Sequence, residues 1–397
     1  MCFPKRTLRA MALFALGSLL LPLAGCWNQH ELNKTFIVTG IALDQAEESG
    51  LLEVSLQIEK SEPESASSGS EGGQEKSSPT LVLKSVKSTM AQGIADINLR
   101  TSREVFIPHN QIMLFGTALA EEGMEQYMDM LLRDPESRMD VQMAIVDGKA
   151  SDVLAADTGQ ELVSGTHLSN IINQQSQIST QYSTRITDFV RKLLSGSSSP
   201  VVPIVKLTKE NEKESVSIEG MAVFVKDKLV GRLSNDEAQS YVWAMGDVKG
   251  GSFTAGSGDN LAVFLVDSLD CKRKVKKNGQ SVRVEFEVDT VLRVSQIIGF
   301  TEVKFPDLIQ KLTQTAQEEI KKKVEQTYES ARGMGADIYD LGLSVYRKDP
   351  GEWESMKDQW GELFSKSELE VSVRAQIVDL GKSLLTIGME SASREGR

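Results

Sequence analysis

Histidine and cysteine are both scarce in this chain of 397 residues, at three apiece. His30, His109 and His167 lie far apart, and none falls in a metal-ligand spacing such as His-Glu-x-x-His. Basic residues are short as well, with 44 Lys and Arg against 56 Asp and Glu. That balance argues against nucleic acid, whose phosphates are bound by neutralising them, and it disfavours adhesion to anionic lipid through charge alone. A Gly-x-x-x-x-Gly-Lys-Ser/Thr phosphate loop is missing too. The glycine-rich stretch Gly250 to Asn260 leads into an apolar run, Leu261 to Val266, that looks like a strand, so it reads as a plain loop. No long apolar segment follows the first 25 residues, and 40% hydrophobic with 25% charged residues is the composition of a globular protein.

What is present begins at the start of the sequence. Met1 to Ala10 carries Lys5, Arg6 and Arg9 without an acid, Met11 to Leu23 is apolar, and Leu23, Ala24, Gly25 and Cys26 close the stretch. This has the three parts of a secretory signal. It is too short to span a bilayer comfortably, where about 20 apolar residues are needed. Leu-Ala-Gly-Cys resembles the bacterial lipobox. The resemblance implies that residues 1–25 are removed and that the Cys26 sulfur carries a diacylglyceryl group in a thioether, with fatty acid such as palmitate. Two acyl chains, at roughly 0.8 kcal/mol per buried methylene, hold a protein at a membrane durably. The alternative is an ordinary signal with a chance cysteine. No other cofactor is expected. Loss of three bases and no acid leaves 41 bases against 56 acids, a formal −15 on 372 residues. Cys2 departs with the signal and Cys26 takes lipid, so Cys271 stands alone and no internal disulfide forms. It has no histidine near it in sequence and reads as a small apolar filler.

Three domains are expected, spanning 26–150, 151–266 and 267–397. In the first, Phe36 to Leu43 and the alternating Leu52 to Ile58 read as a hairpin. Residues 61–78, built from Ser, Glu and Gly, read as a disordered loop because they cannot bury enough surface. A strand from Thr80, a helix over Thr89 to Leu99, a strand at Gln111 to Phe115, a helix at Met124 to Leu132 and a strand at Val141 to Val146 make a mixed sheet with helices on it. Ser151 to Leu194 is helix-rich, and Gly196 to Pro200 reads as a linker. Val216 to Val225 and Leu229 to Leu233 form a hairpin, then Ser234 and Glu237 have capping-box spacing at the start of a helix. Last come a long alternating strand from Val282 to Val294, an amphipathic helix carrying Ile309, Leu312, Ala316, Ile320, Val324 and Tyr328, and a strand through Leu369 and Ile377. The fold class is α+β, with mixed or antiparallel sheets packed with helices and one long helix on a C-terminal antiparallel sheet.

Several segments together are similar to the Ger(x)C spore germination proteins, the C subunits of nutrient germinant receptors. Gly25-Cys26-Trp27, Ile37 to Asp44, His109 with Ile112 to Gly116, Leu119 to Met124, Leu132 to Arg138, Gly220 to Leu233 and Asp349-Pro350 with Trp353 carry the resemblance in order and spacing. It implies a lipoprotein on the outer face of the inner spore membrane, with a three-domain α+β ectodomain. It also implies work beside two integral-membrane partners, the A and B subunits, in nutrient-triggered germination, and no enzymatic activity.

Two residue clusters invite sharper readings. Arg133, Asp134, Glu136 and Arg138 are an acid pair flanked by bases or a salt-bridged turn between helix and strand. Lys272, Arg273, Lys274, Lys276 and Lys277 put five bases in six positions of an acidic chain. They are a solvated hairpin, or a contact for lipid headgroups or an acidic partner surface, where each base contributes on the order of 1 kcal/mol. The expected function is a non-catalytic, tethered subunit in receptor assembly or signalling. The alternative is a solute-binding lipoprotein of a transporter, which would show two parallel, doubly wound lobes.

Overall fold

A computed structural model describes residues 35–381, apart from 49, 60–79, 136, 157–163, 179–181, 211–212, 247, 249, 279–280, 302 and 304–306. The lipobox with Cys26, His30, Glu136 and the stretch 61–78 lie outside the described residues.

β1 (Thr35–Gln45) and β2 (Leu52–Glu59) form the expected hairpin, and β3 (Thr80–Lys87) extends it antiparallel. α1 (Met90–Leu99) starts where the Thr89 side chain accepts from Gln92 N at 3.2 Å. The chain continues through β4 (Glu104–Phe106), β5 (Ile112–Gly116), α2 (Thr117–Glu122), α3 (Glu125–Arg133) and β6 (Gln142–Val146). Next come α4 (Ala150–Ala155), α5 (Ser164–Gln177), β7 (Thr184–Arg185), α6 (Ile186–Ser195), β8 (Val201–Glu210), β9 (Lys213–Val225) and β10 (Lys228–Leu233). These strands share one sheet in the order β10-β9-β8-β6-β5-β1-β2-β3, with β4 beside β1 and β7 beside β6.

At its centre β1, β5, β6 and β8 run parallel. Parallel strands are covered on both faces, so they read as continuous apolar runs, and every residue of β5 and β6 is buried. Met90, Ile97, Met128, Leu131, Ile186 and Phe189, from α1, α3 and α6, cover one face. Ala150, Val153, Leu154, Leu168 and Ile172, from α4 and α5, cover the other.

The boundary expected at 150/151 therefore falls between β6 and β8, which are neighbours in this sheet. Residues 196–200 are likewise not an open linker. Ser197 and Ser199 are buried, and Ser199 N donates to Asp337 O at 2.7 Å.

α7 (Asn235–Met245) opens with the capping box that the sequence predicts, Ser234 and Glu237 reciprocally bonded. β11 (Ser252–Ser257), β12 (Asn260–Asn278), β13 (Ser281–Ile298) and β14 (Glu368–Asp379) make a second sheet in that order. Gly250 to Asn260 is thus a strand and a two-residue turn, with Gly258 at φ 59° supplying the left-handed position, rather than a loop throughout. The boundary expected at 266/267 falls inside β12.

Between β13 and β14 lie α8 (Asp307–Gly333), α9 (Leu341–Lys348), α10 (Pro350–Glu354) and α11 (Trp360–Ser365). This long crossover returns the chain in its original direction, so β14 is parallel to β13 and the sheet is mixed where an antiparallel one was expected. Of the predicted stripe on α8, Leu312, Ala316, Ile320, Val324 and Tyr328 are buried, while in the first turn Leu308 is buried in place of Ile309. The stripe packs Tyr328 against Phe286 and Phe364, with ring centroids 5.8 and 5.5 Å apart. The same core takes in Val201, Met221, Val223 and Leu233 from β8, β9 and β10, so the two sheets share it.

Two rings in that core bury a hydroxyl for no return. Tyr241 and Tyr339 are fully buried, and neither Oη has a partner among the described residues. Burial pushes both phenols well up from their ordinary range. Tyr241→Phe and Tyr339→Phe each delete an unpaired polar atom while keeping the ring, so each is expected to leave stability unchanged or raise it by up to about 1 kcal/mol. A midpoint lowered by more than that in urea unfolding would show that the hydroxyl is bonded in solution.

Candidate functional site

The carboxyl ends of β1, β5 and β6 meet at one edge of the first sheet, the place where parallel sheets characteristically open a crevice. Asp44, next to last in β1, is 3% exposed, and its two oxygens accept from Ala150 N at 2.7 Å and Ser151 N at 2.8 Å. It caps α4, whose preceding residue offers no side chain for the task. Burial raises the Asp44 carboxyl above its ordinary range; the two amides pull the other way, and neighbouring Glu53 adds to the rise. At Glu53 burial is outweighed by Lys84, 3.0 Å away, so its carboxyl is held below its ordinary range.

Gly116, which ends β5, lies against this carboxylate, and a Cβ there would strike Asp44 Oδ1. Thr117 donates to Val146 O at 2.7 Å, and Arg232 of β10 reaches across to Asp147 at 2.8 Å. The β9–β10 turn closes the rim. Asp227 O accepts from Met124 N at 3.0 Å, and its Oδ2 accepts from Glu125 N at 3.3 Å. Gly123, at φ 141°, leaves room for that carboxylate, which an L side chain would displace. The crevice encloses about 440 Å³ between Asp44, Gly116, Thr117, Asp147 and Lys149. Four of the segments singled out in the sequence, Ile37 to Asp44, Ile112 to Gly116, Leu119 to Met124 and Gly220 to Leu233, converge here. None of them showed in isolation that Asp44 caps a helix 106 residues away.

The other sequence clusters come apart. Arg133 turns back to Asp129 at 2.8 Å in its own helix, Asp134 accepts from Ser137 Oγ at 2.6 Å, and Arg138 points to Pro108 O at 3.5 Å. His109 is exposed and His167 buried, on separate elements. Among the described residues no three His, Cys, Asp or Glu side chains converge as a metal site would need. Cys271 is half-buried, and its thiol is pushed up to about 12 by burial, which keeps it from being a thiolate nucleophile at neutral pH.

The five bases sit on β12 with alternating directions. Lys274 pairs with Glu287 and Lys276 with Glu285, across the ladder on β13. Lys272 lies close enough to Glu287 and Asp289 to help lower their carboxyls. Arg273 turns the opposite way, donating to Ala244 O at 2.8 Å and so satisfying the end of α7. Lys277 is exposed near the hairpin end. Arg283 with Glu370, Arg293 with Asp267 and Arg374 with Asp289 complete an ionic ladder over the sheet's outer face. Exposed pairs of this kind contribute about 0–1 kcal/mol each, so the ladder fixes register more than it adds stability. Periodicity read the wet face of β13 correctly, but not that its acids would claim the bases of β12.

Comparison with known proteins decides what this arrangement belongs to. A family model described as the spore germination protein N-terminal domain matches residues 28–207, and one described as spore germination B3/GerAC-like, C-terminal, matches 219–381. The chain belongs to the GerAC-like spore germination family. It is 24% identical over 391 residues to spore germination protein KC of Bacillus subtilis, covering 92% of this chain and 93% of that one. With spore germination protein A3 of Bacillus subtilis it shares 25% identity over 368 residues, covering 90% and 95%. A crystal structure of the GerBC protein superimposes with a TM-score of 0.57 at 18% identity, covering 85% of this chain and 97% of that one, which places the two in one α+β fold. Two parallel, doubly wound lobes are not found among the described residues, since the second sheet is built on antiparallel β11, β12 and β13. No helix among the described residues is long and apolar enough to cross a membrane.

Proposed function

We propose that this protein is the lipid-anchored C subunit of a spore nutrient germinant receptor. It is non-catalytic and acts in receptor assembly or signalling, on the outer face of the inner spore membrane, beside integral-membrane A and B subunits. The observation that carries this reading is the order of parts: a lipobox ending at Cys26, then the two spore germination matches at 28–207 and 219–381. The names of the relatives support germination as the process. An inert thiol and dispersed histidines support a role in contact rather than catalysis.

Cys26→Ala tests it. The variant is expected to lower membrane-bound protein at least about tenfold, because no acyl chain remains to hold it. Co-purification with the membrane partners should fall with it, while the wild type carries a diacylglyceryl mass on its first residue. Retention of the alanine variant at the membrane, still co-purifying with its partners, would remove the anchor from the account.

A further inference from the structure

The position of β1 relative to Cys26 limits how far the body can stand from an acyl anchor. Cys26 lies nine residues before Thr35, so the sulfur is held within about 30 Å of the start of β1 even when that segment is fully extended. β1 is itself 11 residues long and spans about 33 Å. A tether of that reach brings lipid to the amino edge of the parallel strands with slack to spare. It would have to be fully stretched along β1 to bring lipid near the Asp44 crevice.

The amino edge is suited to such a surface. β3 runs in the same direction as β1, with Lys87 opposite Leu52, so α1 starts at the carboxyl edge and descends to end at Leu99. Asn98 Oδ1 accepts from Val105 N at 3.1 Å and ties that end to β4, which lies beside the start of β1. α2 follows the carboxyl end of β5, and α3 returns from it to the amino edge ahead of β6, bringing Leu132 there. Leu99 is 87% exposed and Leu132 50% exposed. Around them Arg100, Arg133 and Arg138 stand among Asp96, Asp129 and Asp134, so both signs of charge rim the leucines, and the exposed apolar side chains rather than net charge suit this edge to lipid. The Arg103 guanidinium lies over the Phe36 ring, 5.3 Å from its centroid, directly where the tether joins.

We propose that this edge rests on the lipid headgroups, with Leu99 and Leu132 at the interface and the Asp44 crevice facing away from the membrane. The inference rests on acylation of Cys26, and its test separates the two. The acylated full chain carrying Cys271→Ser receives a fluorophore at Leu99→Cys, at Leu132→Cys or, on the β1–β2 turn at the far edge, at Glu47→Cys. Each is placed in phosphatidylethanolamine and phosphatidylglycerol vesicles bearing a headgroup nitroxide, without partner proteins. The probes at 99 and 132 are expected to be quenched at least about twofold more than the probe at 47, since interfacial side chains sit within the headgroup layer. Equal or reversed quenching on protein that floats with the vesicles overturns the orientation, points the leucines at a protein partner instead, and leaves the anchor intact. Protein that does not float overturns both.

Discussion

Replacing Asp337 by asparagine is expected to destabilise the protein by about 2–4 kcal/mol near pH 4, where the wild-type carboxyl is protonated, and by less at neutral pH, because two buried donors lose their acceptor. Asp337 is 3% exposed, and its carboxylate accepts from four donors. Oδ1 takes Tyr339 N at 3.2 Å and Leu341 N at 3.1 Å, and Oδ2 takes Gly342 N at 2.7 Å and Trp360 Nε1 at 3.0 Å. An asparagine can keep the first pair but turns an NH2 toward the second. The backbone carbonyl of the same residue accepts from Ser199 N, so the side chain orders the start of α9 and the docking of α11 while the backbone holds the passage from α6 to β8. Beside it Lys192, nearly buried on α6, pairs with Asp340 at 2.8 Å across the same junction.

A pH profile distinguishes this role from simple packing. Burial is the largest influence on Asp337 and pushes its carboxyl up to about 6, against the pull of the Gly342 and Leu341 amides and the Trp360 indole. The unfolded chain titrates near 3.9, so between about pH 4 and 6 the folded protein holds a proton that the unfolded chain has released. Stability from this group is therefore fully present below about pH 4 and declines by on the order of 3 kcal/mol as pH rises through 6. In Asp337→Asn that decline should disappear. Urea midpoints measured from pH 4 to 7 that slope equally in wild type and variant would assign the titration to another group.

How much of this could be read from sequence depends on how local each determinant is. The capping box at Ser234 and Glu237, the stripe on α8 from Leu312 onward and the alternation of β13 are set by neighbours within a few residues, and each stands where local spacing put it. Asp337 is different, because its donor Trp360 is 23 residues away and its backbone partner Ser199 far upstream, so nothing near Asp337 announces a hub. The stretch Gly196 to Pro200 has a linker's composition, yet its serines are small enough to pass beneath α9, where Gly342 packs against Ser197 O and the Trp353 ring. Composition reports what a segment tolerates, not what covers it. The domain boundaries failed to match the sheets for the same reason. β8, β9 and β10 follow a long helical stretch in sequence but join strands laid down before it, and no local signal records strand order. The crevice was half legible: the segments that form it were picked out by resemblance, while their convergence on Asp44 needed the fold.

That convergence makes Asp44→Ala the second severe substitution, expected to cost about 2–3 kcal/mol through unsatisfied amides and a void at the strand end. Ala150 N and Ser151 N would lose their acceptor in an interior position, and α4 has no local cap to replace it. With only six residues, α4 gains little from its own hydrogen bonds and is held by that carboxylate and by Val153 and Leu154 packing on β1, β5 and β6. Asp44→Asn, which can still accept one amide on its Oδ1, should lose roughly half as much. Amide exchange in α4 should accelerate in Asp44→Ala far more than in α1, which covers the opposite face and keeps its own Thr89 cap. If exchange instead rises equally in both helices, Asp44 acts on the sheet as a whole, and α4 is not the element it holds.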